Sequence, residues 1–326
     1  MFDNDLEKLA CAAENKIKSM NRFSPGYLAM SALAGAYLGF GIVLIFSVGA
    51  PLDGTQFAPF MKLIMGASFG VALSLVVFSG SELFTGNNMI FAVGKLKNRV
   101  GFNAIFKLFA LCFIGNLLGS VFFAWLVVQG GSLSAEAQAL IVKVAGAKMA
   151  LGTKEAFFRG ILCNWLVCLA VWIANRNGDE TAKLIMIFWC LFAFIGSGYE
   201  HSIANQSLMS LALLVPHGPE VSLAGFFHNQ VFVTLGNMVG GGVMVGMAYV
   251  FASAGPPSPV SHCTKPVKNT TGNSRPFALW RVMRVATFCC SSIESKSEIS
   301  AISSRNVPSE TSGSRPSYLS ATVMSS

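Results

Sequence analysis

The chain has 326 residues, 53% of them hydrophobic and only 12% charged. Ordinary water-soluble domains carry about 25% charged residues, so this composition excludes one and points to lipid as the main solvent. The net charge of +8 is spread over short segments and a tail rather than gathered on one soluble domain, which argues against a nucleic-acid partner.

In chain order, residues 1–25 come first, as an amphipathic N-terminal helix on the cytoplasmic side. Phe2, Leu6, Leu9, Ala13, Ile17 and Met20 recur at steps of three or four with charges between them, the pattern of a helix expected to lie along a membrane surface. It has no apolar stretch followed by a cleavage site, so it does not read as a signal peptide.

Crossing a ~30 Å hydrocarbon layer takes about 20 helical residues. Over 26–251 the sequence offers six such spans: 27–49, 63–81, 108–128, 156–174, 184–199 and 229–251. The second meets Glu82 and the fifth meets Glu200 and His201, after which each continues as an apolar stretch. Lys8, Lys16, Lys18 and Arg22 precede the first span, Lys95, Lys97, Arg99 and Lys107 follow the second, and Arg176 and Lys183 follow the fourth. That alternation places both termini in the cytoplasm. Lys143, Lys148 and Lys154, on the outer side, break the rule, and attraction of anions is one job for them.

From residue 252 the composition changes abruptly to Ser, Thr and Pro, with eight Lys or Arg against three Glu. This reads as a disordered basic tail, and the sharp change is what a shifted reading frame would produce. Four cysteines (Cys112, Cys163, Cys168 and Cys190) lie inside apolar runs, and none has metal-ligand spacing with a histidine. They read as small core residues.

The chain repeats itself. Gly80-Ser81-Glu82-Leu83-Phe84-Thr85-Gly86-Asn87 lies over Gly198-Tyr199-Glu200-His201-Ser202-Ile203-Ala204-Asn205, both G-x-E-x-x-x-x-N, and Gly115-Asn116-Leu117-Leu118-Gly119 lies over Gly236-Asn237-Met238-Val239-Gly240. Three spans per half force the second half to enter the membrane the other way round, giving a 3+3 inverted repeat with broken second and fifth spans. Matched breaks in inverted halves point to a transport site. A carboxylate there costs about 2.5–3.5 kcal/mol and would repel an anion. Glu82 and Glu200 therefore read as holding the breaks in shape, whereas His201 titrates near neutral pH and reads as the pathway residue. Thr85 offers a hydroxyl in the first break, and Leu83 and Phe84 serve equally as a constriction or as packing. Two matched breaks would also suit a neutral-solute pore of the water–glycerol type, but that type carries Asn-Pro-Ala at both breaks and this sequence has neither. No nucleophile–base pair, metal cluster or nucleotide loop appears, so no enzyme, cofactor or metal is expected.

The segments SGSELFTGN (79–87), GILCNWLVCLAVW (160–172) and SGYEHSIAN (197–205), with the two G-N-x-x-G motifs, resemble the formate–nitrite transporter family over about residues 1–251. AGAYLGFGIVLIF (34–46), FWCLFAFIGSGYEHSIAN (188–205) and LAGFFHN (223–229) look closest to its nitrite branch. The resemblance implies an all-α, aquaporin-like fold in a homopentamer of a bacterial inner membrane, with one anion pore per protomer. By motif it makes His201 and Thr85 pore residues, with Asn164 and Lys148 drawing the anion toward the histidine. It makes Glu200 and Asn205 a loop-holding pair, matched by Glu82 and Asn87 in the first half. Leu83, Phe84, Phe194 and Val167 fall at apolar constrictions. Nitrite is the expected cargo, with formate or hydrosulfide as the alternatives. Removing residues 252–326 should leave anion flux into proteoliposomes unchanged and the oligomer intact on size exclusion.

Overall fold

A computed structural model describes residues 2–253. The tail expected over 252–326 lies outside the described residues from position 254 onward. The described elements are all helices: α1 (Asp3–Arg22), α2 (Ser24–Gly49), α3 (Met61–Ser68), α4 (Gly70–Ser79), α5 (Phe84–Leu96), α6 (Phe102–Gln129), α7 (Ala135–Met149), α8 (Thr153–Arg176), α9 (Glu180–Gly196), α10 (Ser202–Leu214), α11 (Leu223–Val239) and, after a π-helical stretch at Gly240–Met247, α12 (Ala248–Ala252). Five spans are long and apolar enough to cross a membrane: Ser24–Leu52, Ala58–Ser79, Phe102–Gln129, Thr153–Arg176 and Leu223–Ala252. The expected fifth span is α9, which is 17 residues long and stops at the second break.

These helices are apolar all round, as lipid requires. Phe40, Phe122, Trp125, Trp165, Trp189 and Phe227 stay exposed on their outer faces. With no hydrophobic drive between helices in lipid, close backbone approach takes over. At Gly119 a Cβ would overlap the Ala32 carbonyl, and at Gly236 the Phe157 carbonyl. The α2–α6 and α8–α11 pairs are thus packed alike, one in each half.

The sequence places the apolar stripe of α1 on lipid, but the structure buries it in protein. Leu6, Leu9, Ala10, Ala13 and Met20 are buried. Phe2 sits edge-on to Trp172 and Tyr249. Arg176 Nε donates to Asp5 at 3.0 Å, and Arg99 pairs with Glu7. A 3.6-residue period is the same whether the partner is lipid or protein, so periodicity could not choose between them. The π-helical stretch is also absent from the sequence reading. It begins at Gly240-Gly241-Gly242, where the chain passes over Asn164 and Cys168.

Gly119→Val or Gly236→Val should destabilise the protein by about 3 kcal/mol or more, the upper end of overpacking costs, because backbone rather than side chain is in the way. Thermal unfolding in detergent reads this out as a lower Tm with early loss of the oligomer peak.

Candidate functional site

The two breaks share one set of bonds. In the first, α4 ends in Gly80 at φ 71°, the left-handed region that glycine enters without strain. The N–H of Ser81 then donates to the Val76 carbonyl and the N–H of Gly80 to that of Val77, a Schellman ending. In the second, Gly198 also has φ 71°, and Tyr199 and Gly198 donate to Phe194 and Ile195 in the same way. The next residues are unwound, and at membrane depth their polar atoms need partners in the protein. The Glu82 N–H donates to the Met30 carbonyl and the Glu200 N–H to that of Arg159, both at 3.2 Å.

A single asparagine closes each loop. Asn116, from α6, donates to the Glu82 carbonyl at 2.9 Å and the Ser31 carbonyl at 2.7 Å, while its Oδ1 accepts the Phe84 N–H. Asn237, from α11, donates to the Glu200 carbonyl at 2.9 Å and the Gly160 carbonyl at 2.8 Å, while its Oδ1 accepts the Ser202 N–H. Both are fully buried. The sequence showed them as repeated letters in G-N-x-x-G without revealing this task.

Each glutamate is held by a lysine and an asparagine. Glu200 accepts from Lys148 Nζ at 2.7 Å and Asn205 Nδ2 at 2.7 Å. Asn205 also donates to Asn229, which donates to the Lys148 carbonyl. Glu82 accepts from Lys16 Nζ at 2.6 Å, Tyr27 Oη at 2.9 Å and Asn87 Nδ2 at 3.3 Å. Lys16 is therefore the counterpart of Lys148, and α1 that of α7. Sequence reasoning missed Lys16 on α1 and Tyr27 on α2, because they lie 66 and 55 positions from Glu82 and no local pattern carries those contacts.

Between the breaks lies the histidine. The ring of His201 is 3% exposed, and its Nε2 is 3.0 Å from Thr85 Oγ1. Its Nδ1 accepts the Ala204 N–H at 3.0 Å, capping α10. With Nδ1 an acceptor, the neutral ring carries its proton on Nε2, directed at Thr85. Phe194 stacks on the imidazole at 6.0 Å between centroids. The Thr85 carbonyl is held by Asn164 Nδ2 at 3.1 Å and by Cys168 Sγ at 3.3 Å. Asn164 spends its other amide hydrogen on the Asn237 carbonyl.

A cavity of about 220 Å³ leads to the first break, with Lys16, Gly80, Leu83, Gly86, Asn87 and Val171 in its wall. Leu83 lines it, while Phe84 turns away to pack edge-on against Phe109 and Phe113. Val167 is buried. Among the described residues, no three His, Cys, Asp or Glu side chains are placed to hold a metal ion.

The family model described as "Formate/nitrite transporter" matches residues 5–251. The nitrite transporter NirC of Escherichia coli (strain K12) is 43% identical over 263 residues, 80% of this chain and 96% of that protein. A solved "FNT family ion channel" superposes with a TM-score of 0.74 at 41% identity, over 77% of this chain and all of that one. A solved "Pentameric formate channel with formate bound" gives 0.64 at 25% identity, over 71% and 98%.

Lys148→Ala leaves Glu200 buried with its charge uncompensated and should cost about 3–5 kcal/mol, whereas Lys148→Met combined with Glu200→Gln should recover most of that loss. Thermal unfolding of the single and double variants measures both.

Proposed function

The chain belongs to the formate/nitrite transporter family, a family of transporters and channels rather than enzymes, and on that premise we propose that it passes a small monovalent anion across a membrane, nitrite first and formate second. The observation that carries this reading is the 3.0 Å contact of His201 Nε2 with Thr85 Oγ1, which joins the two breaks at a buried point. An anion arriving there takes the place of Thr85 as the acceptor of the Nε2–H.

The ring's other nitrogen sets the terms of proton linkage. Donating a hydrogen bond needs only the neutral ring. Handing over a proton needs imidazolium, whose Nδ1–H would face the Ala204 N–H and forfeit that cap. The charged ring, formed by taking up a proton from the aqueous phase, is therefore a state that an incoming anion stabilises. Its Nε2 proton leaves with the anion as the neutral acid, sparing much of the desolvation cost of a bare charge. The Nδ1 proton that remains must move back to Nε2 through the aqueous phase before the Ala204 cap re-forms. Lys148 and Lys16 offer N–H donors at the two approaches. Their charges are balanced by Glu200 and Glu82, so neither traps the anion. Phe194 supplies an apolar wall beside the ring, and Leu83 one to the cavity at the first break.

In this reading α9 and α10 form one interrupted crossing, as α4 and α5 do with the helix before them. The chain then has six crossings in two inverted halves. Its loop charges support cytoplasmic termini in an inner membrane, and its likeness to the solved pentameric formate channel supports a pentamer.

Proteoliposomes test it. Nitrite, formate, hydrosulfide and glycerol fluxes are measured from about pH 5 to about pH 8. Anion flux should exceed glycerol flux and rise as pH falls, because imidazolium is then easier to form, approaching about tenfold per pH unit where the ring limits transport. His201→Asn keeps an N–H donor but cannot titrate, and should flatten the profile. A variant with the wild-type profile would remove proton linkage, and glycerol passing faster than nitrite would overturn the anion reading.

A further inference from the structure

Outside the pathway, an apolar groove of about 590 Å³ lies between α5, α6 and the π-helical stretch, within the ~300–1,000 Å³ range of binding cavities. Phe91, Phe102, Phe106, Phe109, Met238 and Met247 form its apolar wall, and Lys95 and Asn103 are its polar rim. Phe102 and Phe106 are 71% and 76% exposed, so the groove opens sideways to whatever surrounds the helices. From Lys95 inward along α5 to Asn88, which also lines it, is about 10 Å at 1.5 Å per residue.

Charge at the rim indicates the occupant. Lys95 Nζ lies 4.4 Å over the Phe102 ring. Among the described residues no carboxylate pairs with Lys95 on α5, nor with Lys97 after it or Lys107 on α6, whereas Arg99 between the two helices is paired with Glu7. Lys95, uncompensated at the rim of the apolar groove, with Lys97 and Lys107 adding positive charge outside its lining, forms a two-part surface. The cations match a phosphate, and the groove matches an acyl chain. Basic pockets between membrane helices hold anionic headgroups in this way.

We propose that this groove is a binding site for an anionic phospholipid, its phosphate at Lys95 and Asn103 and one acyl chain lying along Phe91, Phe106 and Phe109. A zwitterionic lipid fits the groove equally well but gains no net attraction from the rim. Selectivity for the anionic lipid therefore rests on the lysines.

The test is native mass spectrometry of the full-length oligomer exchanged into phosphatidylglycerol or phosphatidylcholine with identical chains. Wild type should retain phosphatidylglycerol at least about fivefold better, and Lys95→Gln should cut that preference by about fivefold, the contribution of one surface lysine. Gly242→Leu fills the groove. A Cβ there meets only Asn88 and Ala92, at 3.8 and 3.9 Å. It should abolish retention without changing the mass of the oligomer. Nitrite flux through Lys95→Gln should match wild type, since that side chain is outside the pathway. Equal retention of the two lipids, or a preference untouched by Lys95→Gln, would overturn the proposal. So would an oligomer that falls apart in Gly242→Leu, because a second copy of the chain would then be the occupant.

Discussion

Unwound backbone in the middle of a membrane is tolerable only where it is held inside the protein or lines a water-filled cavity. This structure depends on meeting that demand twice. Asn116 and Asn237 each use a whole carboxamide on it, accepting one N–H and donating to two carbonyls. Leaving one such group unpaired costs about 1–3 kcal/mol, and more in a site that water cannot reach. The glutamates extend the same solution outward. Each is neutralised by a lysine from a helix that does not itself complete a crossing, which is why α1 and α7 are built into the protein rather than appended to it.

The breaks were legible because their requirements are local. A glycine at positive φ, a lysine-paired carboxylate and an asparagine five residues later leave the string G-x-E-x-x-x-x-N in both halves. The membrane class, the family and the helical fold followed from composition, span length and motif. Of the six spans expected, five are long and apolar enough to cross a membrane among the described residues, because α9 is only 17 residues and stops at the second break. What escaped was long-range. Lys16 reads as one more surface charge until α1 is folded against α5. Phe84, adjacent to Leu83, faces the α6 aromatics instead of the cavity. Asn164 reads as a polar pathway residue, but both its amide hydrogens are committed to backbone carbonyls.

Other polar groups lack partners altogether. Asn88 and Gln206, each one residue beyond the glutamate-holding asparagine of its half, Asn87 and Asn205, are buried with no hydrogen bond to either side-chain polar atom among the described residues. They cap nothing and hold no loop. The repeat thus conserves a polar residue at this slot in both halves without using it in the bonding scheme that fixes the breaks.

The halves diverge at one slot that matters more. Counting from the glutamates, His201 falls where Leu83 falls. Both residues have extended backbone at the start of a half-helix, but one caps it with a ring nitrogen and the other with nothing. The asparagine clamps and the lysine–glutamate pairs are present in both halves, but the capping ring nitrogen is present in one alone, so the chemistry at the centre of the molecule has a front and a back.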